Sequence, residues 1–518
     1  MAQRVDPVTR RLGIAAAVLT AAAILLAGVG IATRIEPGAG LAPGDLGAIR
    51  FTIWQALLSA LLSVGFAIPV ARALARRSFR GRGALVTLLG APFILPVIVA
   101  VLGLLAVFGR NGWVNTVFAA LGLPTISIFG LHGVVLAHVF FNLPLATRLI
   151  LQGWQTLPAE RFRLAAQLRL TPWAIFRTLE WPMLKQIVPG VAALIFVICL
   201  TSFAVALTLG GGPRATTVEL AIYQAFRFDF DLGRAAILSL VQLVVAGGAA
   251  LTTLWLIPKV SLGGGMDRAL TRWDAKAGAQ RVVDAFVIAA AAAFLLMPLC
   301  AVVLRGAKGL FMLPDQVWGA TLSSLTVAAI SVGLLLLLAV PMAAWIASKR
   351  AGGIEAIGLL GLAASPLMIG TGWFILINPV TAPATLALPV TALVNALMSL
   401  PFCLRILVPP LRNTMRDYSR LTQALGMQGW ALWRWIYLPR LAAPLGFAAG
   451  LTAALSVGDL GVIALFADGE RATLPLQMYR LMSAYQMEAA AGAALLLLLM
   501  ALGLFWACEA GGRRLAVA

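Results

Sequence analysis

The sequence predicts an all-α polytopic membrane protein built from two fused six-helix repeats, with about 12 transmembrane helices in all. Three observations predict this class: the ratio of apolar to charged residues, the gathering of apolar residues into long runs, and a self-similarity at half the chain length. Hydrophobic residues make up 61% of the 518-residue chain and charged residues 11%, at a mean hydropathy of +0.97. A soluble domain of this length needs a much larger polar fraction.

A helix that crosses a bilayer needs about 20 mostly apolar residues. Such runs fall at about 12–32, 51–75, 84–108, 130–152, 187–209, 234–257, 282–304, 320–347, 354–377, 387–408, 443–466 and 489–508. They do not alternate residue by residue as the strands of a membrane barrel do. The first run follows Arg10 and Arg11; it is long for a signal-peptide core, and Ala32-Thr33-Arg34 makes a poor cleavage site, so it is expected to be a retained span. The net charge of +20 reflects topology. With both termini cytoplasmic and the spans alternating, 29 of the 39 Lys and Arg fall on the inner side, the positive-inside asymmetry. No soluble basic domain is left to bind nucleic acid. Cys199, Cys300, Cys403 and Cys508 are far apart in apolar runs and are expected to be buried free thiols. His132 and His138 are too few for a metal site, and no catalytic cluster is evident.

The self-similarity defines the domains. Asn142-Leu143-Pro144 with Arg148 returns 257 residues later as Ser399-Leu400-Pro401 with Arg405. The same offset relates Arg163 to Arg420, Trp173 to Trp430, Arg177 to Arg434, Pro182 to Pro439 and Arg214 to Arg471. Upstream it widens to about 272, where Pro69 corresponds to Pro341. Two parallel repeats are therefore expected, 1–258 and 282–518, related by an axis along the membrane normal and joined by a cytoplasmic linker at 259–281.

Each repeat carries one long charged inner loop between its fourth and fifth spans, 155–186 and 411–442. Each reads as helix, break, helix and Pro, since Gly frees the backbone and Pro removes a donor. In the second, Gly426 and Gly429 make the break, and Trp430, Trp433 and Ile436 form one apolar side of the following helix. This pattern resembles the EAA loop of ABC importer permeases: Glu-Ala-Ala, three residues, Gly, nine residues, Ile, one residue, Leu-Pro. Gly426, Ile436, Leu438 and Pro439 match at that spacing. In the first loop Leu179 and Pro182 match, and Trp181 stands at the usual Leu. Arg163 and Arg420 replace the leading Glu, Ala165 keeps an Ala of the motif, and Arg169 replaces the Gly. The resemblance implies a type I ABC importer permease fold in which these loops, with Trp173, dock two copies of a cytoplasmic ABC ATPase subunit. ATP and Mg would be bound by that partner, because this chain has no Walker A glycine loop. It also implies a bacterial inner-membrane location and a periplasmic solute-binding protein docking on the outer loops at 210–232 and 467–487.

Among fused double permeases the chain is similar to those for thiamine and thiamine pyrophosphate. The segments that carry this are Ile53–Val64, His138–Pro144, Leu209–Ala225 (LGGGPRATTVELAIYQA) and Ser456–Phe466 (SVGDLGVIALF). Ferric-iron and polyamine importers are the alternatives within the class. An ion-coupled secondary transporter is the alternative outside it, disfavoured because Asp459 nearly alone supplies an acid within a span. Asp459, with Thr201, Ser202 and Phe203 at the matching place in the first repeat, reads either as pathway lining or as a buried structural group.

Overall fold

The computed structural model describes residues 7–35, 41–90, 94–256, 278–349, 354, 357–358, 360–361, 364–467 and 471–517. Most of the expected linker lies outside these residues. The described residues are mostly helical, in the order α1 (Pro7–Ala32), α2 (Pro43–Arg76), α3 (Arg82–Leu88), α4 (Val97–Phe108), α5 (Trp113–Ala120), α6 (Leu131–Thr156), α7 (Ala159–Gln167), α8 (Pro172–Ile175), α9 (Trp181–Leu200), α10 (Ala204–Leu209), α11 (Val218–Arg227) and α12 (Leu232–Leu256). There follow α13 (Gly278–Gly309), α14 (Asp315–Lys349), α15 (Pro366–Ile377), α16 (Ala387–Asp417), α17 (Ser419–Ala424), α18 (Gly429–Leu432), α19 (Leu438–Val457), α20 (Gly461–Phe466), α21 (Leu474–Ser483) and α22 (Met487–Val517).

Eleven helical stretches among the described residues are long and apolar enough to cross a membrane, and α15 is a shorter apolar helix. The expected ninth span, 354–377, is described mainly over that last part. The third span differs from expectation: α3 stands apart, and the continuous apolar helix begins only after Pro96, which has no N–H to extend a helix backwards.

Small residues set the packing, as expected where lipid removes any hydrophobic preference between helices. A Cβ on Gly103 of α4 would come within 2.6 Å of the Pro298 carbonyl of α13, and Gly372 of α15 is pressed just as closely on Ala27 of α1. These contacts belong to an exchange. α1 packs on α14 and α15, and α13, besides packing on α22 of its own half, packs on α2 and α4, so the opening helix of each half reaches onto the other half. Trp373 Nε1 donates to the Ala23 carbonyl at 3.1 Å on one side. On the other, Asp284 of α13 accepts from Arg76 Nη2 at 2.5 Å and Arg77 Nε at 2.8 Å.

A small polar cluster recurs inside each half. Ser59 pairs with His138 Nδ1 at 3.2 Å, and Asn142 donates to Cys199 Sγ at 3.3 Å. In the second half Ser456 bonds both Ser331, at 2.8 Å, and Asn395, at 3.0 Å. His138 is thus a buried packing partner. Of the cysteines, Cys199 and Cys403 are buried, but Cys300 is exposed and Cys508 half-exposed on the bundle surface. Their helices turn those positions outward, a direction that an all-apolar run does not reveal.

The segments expected as outer loops are corrected most. Residues 210–232 and 467–487 contain α11 and α21, and most of both helices is buried. Each is tied inward at its start: Val218 N donates to Thr52 Oγ1 and Leu474 N to Ser324 Oγ, both at 2.8 Å. What remains exposed there is a rim that includes Phe228, Phe230 and Tyr485.

Candidate functional site: the charged loops and the paired helix breaks

Span alternation brings the two charged loops to one end of the bundle. Their backbones follow one plan. α7 and α17 each end on a left-handed residue, Arg169 at φ 49° and Gly426 at φ 62°. Leu170 N then reaches back to the Ala165 carbonyl and Met427 N to the Thr422 carbonyl, each at 3.0 Å. This is the Schellman closure, which satisfies free carbonyls at a helix end. Arg169 therefore adopts the conformation usually reserved for Gly. In the first loop Thr171 caps α8, accepting from Ala174 N at 3.3 Å. Both short helices then widen into a π-turn, Phe176–Glu180 and Trp433–Tyr437, before α9 and α19 begin with Trp181-Pro182 and Leu438-Pro439. Such turns concentrate at functional positions.

The π-turn changes which side chains share a face. Ile436 is buried and Trp433 half-buried, its ring 5.3 Å from Tyr437, while Trp430 and Trp435 point outward. The expected stripe of Trp430, Trp433 and Ile436 is therefore split, because a π-turn advances less per residue than an α-helix. Leu179 is half-buried against the core at the position matching Ile436, and Ala165 is buried beneath the first closure. Arg163 and Arg420 are exposed, and Pro182, Leu438 and Pro439 sit where each loop joins its span.

Leu164, Leu168 and Trp173 are exposed on one loop and Leu421, Leu425 and Trp430 on the other, with Trp181 and Trp435 also exposed at positions that have no exposed apolar counterpart. The two triads occupy identical positions. Trp173 is 68% exposed and Trp430 70% exposed. Exposed Arg163 and Arg177 flank the first triad, and Arg420 and Arg434 the second. Grouped apolar side chains rimmed by charge are the usual make-up of an interaction surface. Leu164 and Leu168, and likewise Leu421 and Leu425, are spaced i, i+4 across the end of a short helix, where two side chains share one face.

The first loop is also clamped to the bundle. Arg72 of α2 donates to Glu180 Oε2 at 2.7 Å and lies 4.9 Å from the Phe176 ring. Trp154 Nε1 donates to Glu180 Oε1 at 3.3 Å. Tyr437 stands at the matching place of the second loop.

Further along the same spans the helices break. α9 gives way to α10 across Thr201, Ser202 and Phe203, and α19 to α20 across Gly458, Asp459 and Leu460. A broken helix in lipid leaves carbonyls without partners. In the first break Gln55 Nε2 donates to the Cys199 carbonyl and Gln242 Nε2 to the Leu200 carbonyl, both at 2.9 Å. In the second, Asp459 Oδ1 accepts from Gly461 N at 3.2 Å, while Oδ2 has no hydrogen-bond partner among the described residues. The breaks meet: a Cβ at Gly461 would lie 3.5 Å from Asp459 Oδ1 and 4.0 Å from the Phe203 ring. The structure thus brings together Phe203 and Asp459 from distant parts of the sequence.

No family model matches the chain. Curated relatives match over nearly its whole length. It is 42% identical over 475 residues to the thiamine transport system permease protein ThiP of Escherichia coli (strain K12), covering 89% of this chain and 88% of that one. The same-named protein of Brucella abortus (strain 2308) is 40% identical over 470 residues, 88% of this chain and 86% of its own. The molybdenum transport system permease protein ModB of Azotobacter vinelandii is 31% identical over 182 residues, only 35% of this chain but 80% of its own. With helices throughout, paired loops and full-length kinship at this level, the chain belongs to the thiamine transport system permease family.

Proposed function

We propose that this chain is the transmembrane subunit of an ATP-driven importer that moves thiamine and its phosphate esters across the bacterial inner membrane. The matched Leu-Leu-Trp triads carry the coupling half of this reading. Two equivalent apolar surfaces with basic rims fit two copies of one ATPase subunit, each offering an apolar groove with acidic edges. ATP and Mg are bound by that partner. The charged loops and both termini are then cytoplasmic, in keeping with the clustering of Lys and Arg on that side. The repeats at 1–258 and 282–518 each supply one docking loop.

Thiamine is cationic and cannot cross hydrocarbon unaided. Thr201, Ser202, Phe203 and Asp459 are proposed to line its path where the two breaks meet. A periplasmic binding protein delivers the solute to the opposite end, where Phe228, Phe230, Phe311 and Tyr485 are exposed. Alternating access follows if the halves rock about the breaks while the loops follow the ATPase.

The test is reconstitution with the ATPase and binding protein. Thiamine-loaded binding protein is expected to stimulate ATP hydrolysis and uptake, and binding protein loaded with ferric iron or polyamine is not. Uptake driven by an ion gradient without ATP would refute the reading.

A further inference from the structure

Beside the paired breaks lies a cavity of about 190 Å³ whose wall comes from both halves of the chain. Leu220, Tyr223, Gln224 and Phe228 line it from the first half, and Tyr479 of α21 closes it from the second. Tyr223 is buried and lies edge-on to two rings, Phe203 at 5.2 Å and Phe228 at 5.9 Å. An aromatic file thus runs from the exposed Phe228 through Tyr223 to Phe203, where the Asp459 carboxylate waits. Burial pushes the Tyr223 hydroxyl up from its ordinary value, with Tyr479 adding to the rise, while Arg227 and Arg480 pull it back.

We propose that this cavity is a receiving site of the permease itself for a flat aromatic solute, held between Tyr223 and Tyr479 on its way to Asp459. The inference deepens the thiamine reading and rests on it. Ring faces attract a planar cation more than they attract a neutral ring. A small set of polar groups in an apolar, aromatic wall is the usual make-up of such sites. The site is built only when α11 and α21 approach, because Tyr479 and Tyr223 belong to opposite halves. Separation of the halves would dismantle it and free the solute.

The test uses the complete reconstituted transporter with thiamine-loaded binding protein at saturation. Tyr479→Ala is expected to lower thiamine uptake at least 10-fold while the concentration of binding protein giving half-maximal ATPase stimulation changes less than twofold. Tyr479→Phe, which keeps the ring, is expected to retain at least half of wild-type uptake and confirms that the position folds. If Tyr479→Ala leaves uptake unchanged, or weakens only the binding-protein dependence, the site assignment is overturned. Should Tyr479→Ala fail to assemble, Gln224→Ala, Tyr223→Leu and Phe228→Ala serve in its place, each removing the polar group or the ring, and unchanged uptake in all three overturns the assignment. Absence of ATP-dependent thiamine uptake by the wild-type complex would instead overturn the thiamine reading on which the site rests.

Discussion

Arg72 Nε lies 2.7 Å from Glu180 Oε2, an ion pair that joins a spanning helix to the π-turn of the first charged loop. Glu180 is fully buried, while Arg72 keeps about a fifth of its side chain exposed. Removing one partner of such a pair strands the other charge and costs about 3–5 kcal/mol. Arg72→Met alone, or Glu180→Met alone, is therefore expected to lower the melting temperature of the purified chain sharply. The double variant Arg72→Met with Glu180→Met should recover most of the loss. A double-mutant cycle followed by thermal unfolding measures it, and additive losses would show that the pair is not coupled.

The proposed docking surface consists of the outward residues. Trp173→Asp and Trp430→Asp should leave the fold intact and each weaken ATPase association by about 2 kcal/mol, roughly 30-fold, as expected for a central tryptophan of an interface. Trp433→Asp should instead destabilise the chain, because its ring packs on Tyr437. Co-purification and melting curves, measured on all three, separate the two outcomes.

Arg169 holds a backbone conformation that costs a side chain about 1–2 kcal/mol. Arg169→Gly should relieve it, less about 0.4–1 kcal/mol for the freer unfolded chain. The expected net gain of about 0.5–1 kcal/mol would appear as a few-fold slower amide exchange at Leu170. Gly426→Ala should act in the opposite direction at Met427.

Glu219 opens α11, outside the spanning helices, and is fully buried with neither carboxylate oxygen hydrogen-bonded among the described residues. Burial pushes its carboxyl up from 4.5 to about 8, with Ser365 and Gln242 opposing the rise. The folded chain then keeps a proton that the unfolded chain releases above 4.5. Stability contributed at this position therefore falls as pH rises from about 4.5 to about 8, and levels off above that. Glu219→Gln should remove that slope. Melting temperatures of the two proteins at pH 5.5 and 8.5 should converge at the lower value and separate at the higher, with the variant above.

Asp459→Asn tests the pathway. The substitution keeps the shape and the bond from Gly461, so assembly should be normal while uptake of a cationic solute falls about 10-fold or more. Wild-type uptake by this variant would remove Asp459 from the path.

Much of this architecture was legible in the sequence because lipid leaves the chain few choices. Twenty apolar residues must be helical, and an offset of 257 forces Arg169 and Gly426 into one backbone role. What escaped was decided between distant segments. Residues 210–232, expected as an outer loop, carry α11, most of which is buried against the bundle. The break at Thr201–Phe203 has neither Gly nor Pro to announce it. It stands because Gln55 and Gln242, far away in sequence, supply the missing donors. The face of the second loop was misjudged at Trp433 because a π-turn leaves no mark in residue spacing.

The exchange of opening helices makes the two halves interlocked rather than merely adjacent. With α1 gripped by α14 and α15, and α13 by α2 and α4, neither half can be lifted away without unclasping both arms. The peptide connection between 256 and 278 is then dispensable for cohesion. A chain nicked there by a protease should travel as one particle through a sizing column, and two genes encoding the separate halves should complement each other.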